Sequence, residues 1–152
     1  MNIAAVSIFY NTKQLLKPLY QSYINNSGVV SDFYVYDNSN DVSQQLTDSD
    51  IENTCIQLRY IPHEVIHNMI GSKMHAKSIQ FAFDDLLSLY DYIILLDSDV
   101  IITGSISDII DQMEMGNYIV MMATIFLNYN GAIKLAPFLI FFNLDTITYF
   151  TL

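Results

Sequence analysis

Two aspartates separated by one serine, Asp97-Ser98-Asp99, close a continuous apolar run, Tyr92–Leu96. On extended chain, residues two apart point the same way, so both carboxylates can face one site. Held that close they repel, unless a cation lies between them or one is protonated. A hard divalent cation, Mn²⁺ or Mg²⁺, takes oxygen ligands of this kind and shares them with substrate phosphates. Aspartate and serine are also ordinary turn residues, but the buried-strand pattern leading into the pair favours a site over a surface turn.

Positive charge is concentrated elsewhere. His63, His67, His75, Lys73 and Lys77 fall within one short stretch, although the chain carries only 6 lysines and arginines against 16 acids. Lys73, His75 and Lys77 occupy the first turns of an expected helix, where the helix dipole disfavours cations. An anion bound at that end accounts for them, and a diphosphate is the natural size.

Two rival chemistries share these residues. His63-Glu64-Val65-Ile66-His67 matches the zinc-peptidase pattern HExxH, which needs a helix long enough to put both histidines on one face. Pro62 and Gly71 leave little room for one, so a loop beside a cleft is expected there. Asp97-Ser98-Asp99 also resembles the nucleophile motif of haloacid-dehalogenase-type phosphatases. That motif continues Gly-Thr, where this chain has Val100-Ile101.

The elements that must position these groups alternate between strand and helix, which predicts βαβ units around a mainly parallel sheet. Strands are expected at Ile3–Tyr10, Asp32–Asp37, Thr54–Ile61 and Tyr92–Leu96, with later ones at Tyr118–Ala123 and Phe138–Phe142. Lys13–Asn25 and the stretch from an N-cap at Ser72 to Leu89 read as helices, and Ile106–Met113 as a shorter one. In the long helix Ile79, Phe83, Leu86 and Tyr90 form the expected buried stripe. In such a sheet, ligands bind beyond the carboxyl ends of the strands. Three of those ends are polar: Tyr10-Asn11-Thr12, Asp37-Asn38-Ser39 and Asp97-Ser98-Asp99.

Read in order, these segments resemble a GT-A-fold glycosyltransferase, closest to family 2. Val6-Ser7-Ile8-Phe9-Tyr10-Asn11 is similar to its opening strand and Val35-Tyr36-Asp37-Asn38-Ser39 to its second. Asn68-x-x-Gly71-Ser72-x-x-His75-Ala76 resembles the segment before the helix that leads to the DxD strand, and Tyr92–Asp99 resembles that strand. Leu96–Gly104 is also similar to the glycogenin-related family 8. The resemblance implies a three-layer α/β fold and transfer of sugar from a nucleotide diphosphate sugar to a glycan or lipid-linked acceptor, as in polysaccharide biosynthesis. It implies that Asp37 contacts the base, that Asp97 meets the ribose or metal, and that Asp99 ligates the metal bridging the diphosphate. Tyr10, Asn11, Asn38, Lys73 and Lys77 complete the expected nucleotide site, with Tyr10 able to stack on a base. Inverting members also keep a catalytic carboxylate downstream of the DxD strand. The only acid after Glu114 is Asp145, which as a local pattern reads better as the cap of a final helix beginning at Thr146. A catalytically incomplete nucleotide-sugar-binding module, lacking a C-terminal acceptor part or needing a partner, is therefore the alternative.

Bulk composition agrees. At 152 residues with 52% hydrophobic and 14% charged residues, one folded domain over 1–152 is expected and disorder is not. A net charge of -10 argues against nucleic acid or an anionic membrane as partner. The apolar runs are far short of the roughly 20 residues of a membrane-spanning helix. A single cysteine, Cys55, excludes an internal disulfide and points to the cytoplasm; within the third strand it is expected to be buried and inert.

Overall fold

The fold was obtained as a computed structural model that describes residues 1–116, 120–129 and 132–143. Asp145 lies outside the described residues. Strands β1 (Ile3–Phe9), β2 (Asp32–Asp37), β3 (Ile56–Tyr60) and β4 (Tyr92–Asp97) are followed by β5 (Val120–Tyr129) and β6 (Ala132–Asn143). The helices are α1 (Leu16–Asn26), α2 (His63–Ile66), α3 (Ser72–Leu86) and α4 (Ser107–Gly116). One six-stranded sheet runs in the order β3-β2-β1-β4-β6-β5. The first four strands are mutually parallel, whereas β6 is antiparallel to β4 and to β5.

Strand alternation sorts the core into two layers. Ile3, Ala5 and Phe9 of β1 pack with Leu16, Leu19 and Tyr23 of α1 and with Ile110 and Met113 of α4. Ala4, Val6 and Ile8 face the other way, onto Ala82, Phe83 and Leu86 of α3. Every residue of β1 is buried, as expected of a central parallel strand covered on both sides. The chain is thus a three-layer α/β structure with a mainly parallel sheet, as its sequence pattern predicts.

Several boundaries differ from expectation for local reasons. A 3-10 turn over Lys13–Leu15 precedes α1, and Pro18 sits in that helix's first turn, where a missing N–H costs nothing. Gly71, not Ser72, is the N-cap of α3, with φ 57 and ψ -133, a conformation in which a side chain would be strained. The long helix stops at Leu86. Of its expected stripe Phe83 and Leu86 are buried, while Ile79 and Tyr90 are only partly so. Because β3 starts at Ile56, Cys55 precedes the strand and is exposed rather than buried; its N–H donates to Tyr20 Oη at 3.0 Å. Among the described residues no helix is long and apolar enough to cross a membrane.

Candidate functional site

Because β1, β2 and β4 run in parallel, their carboxyl ends meet at one edge. The register pairs Phe9 with Asp37 and Ile8 with Asp97, so both aspartates flank the end of the central strand. The loops beyond are tied together. Asn11, at φ 54, donates its backbone N–H to Ser39 Oγ at 2.8 Å and its amide to Asn40 Oδ1 at 2.7 Å. Its own Oδ1 accepts from the Asp41 N–H. Thr12 Oγ1 reaches Ser98 Oγ at 3.4 Å. Asn11 therefore holds the rim of the site through the loop after β2.

Asp37 is 3% exposed. Its Oδ1 accepts from the Ser39 N–H at 2.9 Å and its Oδ2 from the Leu46 N–H at 2.7 Å. Each bond to a charged acceptor stabilises by about 1.5–3 kcal/mol, so this carboxylate pins residues 38–46 against the sheet. Its first task is internal. The Oδ1 bond is a local Asx turn, but the Oδ2 bond could not be anticipated from sequence, because Leu46 lies nine residues away.

Asp97 differs in kind. Its side chain is 41% exposed, and the nearest counter-charge is His75 Nε2 at 4.0 Å. Partial burial pushes its carboxyl above the usual range; a protonated His75 opposes the shift, and Asp99 reinforces it. Asp99 is exposed. Among the described residues neither carboxylate pairs with a lysine or arginine. The chain beyond turns inward: Val100 and Ile102 are buried against α1, and Ser22 Oγ accepts from the Ile102 N–H at 3.0 Å. Asp97 thus closes β4, whereas Asp99 sits in the turn just beyond it rather than on extended chain, and neither is neutralised by a lysine or arginine among the described residues.

Next to it lies a cleft of about 350 Å³, whose lining includes Tyr10, Asn38, His63, Met69, Met74 and His75. That volume lies within the usual range for small-molecule sites. Tyr10 is 40% exposed and offers a ring face. Asn38 is 6% exposed; its Nδ2 donates to Ser78 Oγ at 2.7 Å, while its Oδ1 is covered and has no partner among the described residues. A covered acceptor without a donor costs about 1–3 kcal/mol.

The fold bears on both readings of the basic stretch. Lys73 and Lys77 do not converge with His75: they line a separate hollow with Met69, Ala76 and Gln80. Steps of about 100° per residue put positions 73 and 77 on one side of α3 and position 75 on another. In this arrangement the three do not line one hollow. The HExxH segment forms only a four-residue helix, His63–Ile66, and His67 leaves it with ψ 133. The His63 and His67 rings are 5.1 Å apart, but among the described residues no group of three or more His, Cys, Asp or Glu converges as metal ligands. The zinc-peptidase geometry is absent there.

No family sequence model and no curated protein sequence matches the chain. Solved structures do. The bifunctional glycosyltransferase WbbM is similar at TM-score 0.58 and 15% identity, over 95% of this chain and 32% of that one. The galactosyltransferase LgtC, solved with donor and acceptor sugar analogues, is similar at TM-score 0.58 and 14% identity, over 93% of this chain and 58% of that one. A putative nucleotide-diphospho-sugar transferase from Desulfovibrio desulfuricans matches at TM-score 0.52 and 13% identity, over 97% and 66%. The fold is therefore that of GT-A nucleotide-diphospho-sugar transferases. This chain spans less than two thirds of the length of each of these three proteins.

Proposed function

We propose that this chain is the nucleotide-sugar-binding part of a metal-dependent glycosyltransferase, with Mn²⁺ or Mg²⁺ bound at Asp97 and Asp99. The observation that carries the proposal is the placement of this uncompensated carboxylate pair at the end of β4, beside the cleft that Tyr10, Asn38 and His75 line. Two carboxylates with open positions around them suit a cation that keeps its remaining sites for phosphate and water. The half-buried Asp97, pushed above the usual carboxylate range by its burial, is a group whose charged form a divalent cation would favour.

When bound, the cation would offset the negative charge that grows on the leaving diphosphate. The protein's own groups do the rest. Tyr10 offers its ring to a base, and Asn38 a hydrogen-bonding amide at the same wall. His75, when protonated, adds positive charge next to Asp97. Asp37 supports the base-binding loop from beneath rather than from the cleft surface. Lys73 and Lys77 stand apart from this constellation.

The acceptor is a glycan or a lipid-linked sugar, and the likeness is to families 2 and 8 of the GT-A enzymes. Residues 1–152 act as one nucleotide-sugar-binding domain in the cytoplasm, and the acceptor side is supplied by further polypeptide or by a partner. Asp145 is the carboxylate to test as base, since an inverting transfer needs one within hydrogen-bond reach of the acceptor hydroxyl. Titration calorimetry against UDP, GDP, CDP and dTDP, each with and without Mn²⁺, tests the binding claim. Metal-dependent binding of at least one supports it; no heat with any of them removes it. A parallel assay should find slow, metal-dependent hydrolysis of the matching nucleotide sugar and little transfer. Efficient transfer by these 152 residues would instead make Asp145→Ala the next variant.

A further inference from the structure

Charge is divided unevenly along this chain. The net value of -10 opposes a broad approach to an anionic surface. From His63 to Phe83, however, Lys73 and Lys77 stand against Glu64 alone, a local charge of +1 with the histidines neutral. The other 4 bases and 15 acids leave the remainder at -11. Among the described residues neither lysine has an ion-pair partner, in spite of that excess of acid. Both are exposed, one turn apart on α3. Asp84, the next acid on that side of the helix, already accepts from Gln80. It lies about 10 Å beyond Lys77 along the axis, more than the roughly 8 Å screening length at physiological salt.

The same stretch carries an exposed apolar crest. Ile70 is 85% exposed in the loop between α2 and α3, and the backbone turns on either side of it, with φ 59 at Asn68 and φ 57 at Gly71. A lone exposed isoleucine is ordinary, but this one is not isolated. Met69 borders both the cleft and the hollow of Lys73 and Lys77. Crest, lysines and cleft mouth therefore form one continuous surface. A bilayer offers an acyl boundary to the apolar crest and phosphates to the lysines, whose stems can lie along apolar surface. Val30 and Leu89, exposed at the opposite end of the sheet, share their hollow with Asp32 instead.

We propose that residues 67–71 and the first turns of α3 form a docking surface for an anionic phospholipid bilayer. Ile70 enters the headgroup boundary, and Lys73 and Lys77 meet the lipid phosphates. Docking itself needs no nucleotide; its consequence for transfer rests on the nucleotide-sugar assignment above. Because Met69 and Ile70 also belong to the cleft wall, docking sets the cleft mouth at the surface that carries a lipid-linked acceptor.

The test is flotation of the whole chain with vesicles of phosphatidylcholine alone and of phosphatidylcholine mixed with phosphatidylglycerol. Each lysine near an anionic surface contributes about fivefold, so the mixed vesicles should be preferred about tenfold or more at physiological salt. High salt should release the protein from them. Lys73→Ala with Lys77→Ala should abolish the preference while changing nucleotide affinity by less than about threefold. Ile70→Ser should weaken binding to mixed vesicles about fivefold, and both variants should keep the wild-type Tm because the altered side chains are exposed. Equal binding to the two kinds of vesicle, no flotation with either, or unchanged binding by both variants overturns the inference, whatever the nucleotide titrations show. Vesicle binding as expected with no binding of any nucleotide diphosphate removes the nucleotide-sugar assignment and leaves the docking surface in place.

Discussion

Strands β2 and β4 flank the same central strand, and each ends in an aspartate, but the two carboxylates live in opposite surroundings. Asp37 is covered and accepts two backbone N–H groups from its own loop. Asp97 is half-buried, and its only counter-charge among the described residues is a histidine at 4.0 Å, with a second carboxylate two residues on. A carboxylate whose hydrogen bonds are filled by the fold holds structure. One that is lifted in pKa and left uncompensated is available to a ligand. The same residue type at equivalent strand ends thus separates into scaffold and candidate site, and the separation depends on which donors the neighbouring loop supplies.

The comparison can be broken first on the scaffold side, where the effect is largest. Asp37→Ala leaves the Ser39 and Leu46 N–H groups without their acceptor beneath the loop. It should destabilise the chain by about 3 kcal/mol or more in urea unfolding. A loss under about 1 kcal/mol would mean that the loop is not held by this residue.

On the site side, Asp97→Asn should do the reverse. Asp97 has its folded pKa raised, so the folded state binds a proton more readily than the unfolded chain, and the charged form carries a penalty. That penalty is present above the carboxylate range and vanishes as pH falls through it. Asp97→Asn should therefore raise Tm slightly at pH 7 and lose this advantage under acid conditions, while weakening metal-dependent nucleotide binding. In the wild type, that binding should begin to fail on acidification at a higher pH than an ordinary carboxylate would give. A lower Tm for Asp97→Asn at pH 7 would contradict the assignment of this carboxylate as uncompensated.

The smallest effect is expected at Lys73 and Lys77. Since they line a different hollow from His75, the double change Lys73→Ala with Lys77→Ala should alter nucleotide affinity by less than about threefold. A tenfold loss would return them to the diphosphate.

The sequence carried the sheet and its polar strand ends clearly, because buried parallel strands read as unbroken apolar runs and two strands stop at Asp37 and Asp97. The layering also follows from alternation along β1. What periodicity could not convey was rotation about α3, which parts Lys73 and Lys77 from His75 although all three lie close in sequence. Nor could it convey contacts made across loops. The Leu46 N–H that fills Asp37, and the Ser78 hydroxyl that orients Asn38 from forty residues away, exist only once the chain is folded. A third strand expected from Thr54 likewise suggested a buried Cys55, yet the strand begins at Ile56 and leaves it exposed.

The central claim is that Asp97 and Asp99 hold a divalent cation that a nucleotide diphosphate shares. The most direct test is a paired calorimetric titration of the tightest-binding nucleotide diphosphate into wild type and Asp99→Ala, each with Mn²⁺ and again after chelation. The wild type should bind only with Mn²⁺ present, and Asp99→Ala should show no metal-dependent component while unfolding at the wild-type Tm or slightly above it. Equal, metal-dependent binding by Asp99→Ala would contradict the claim.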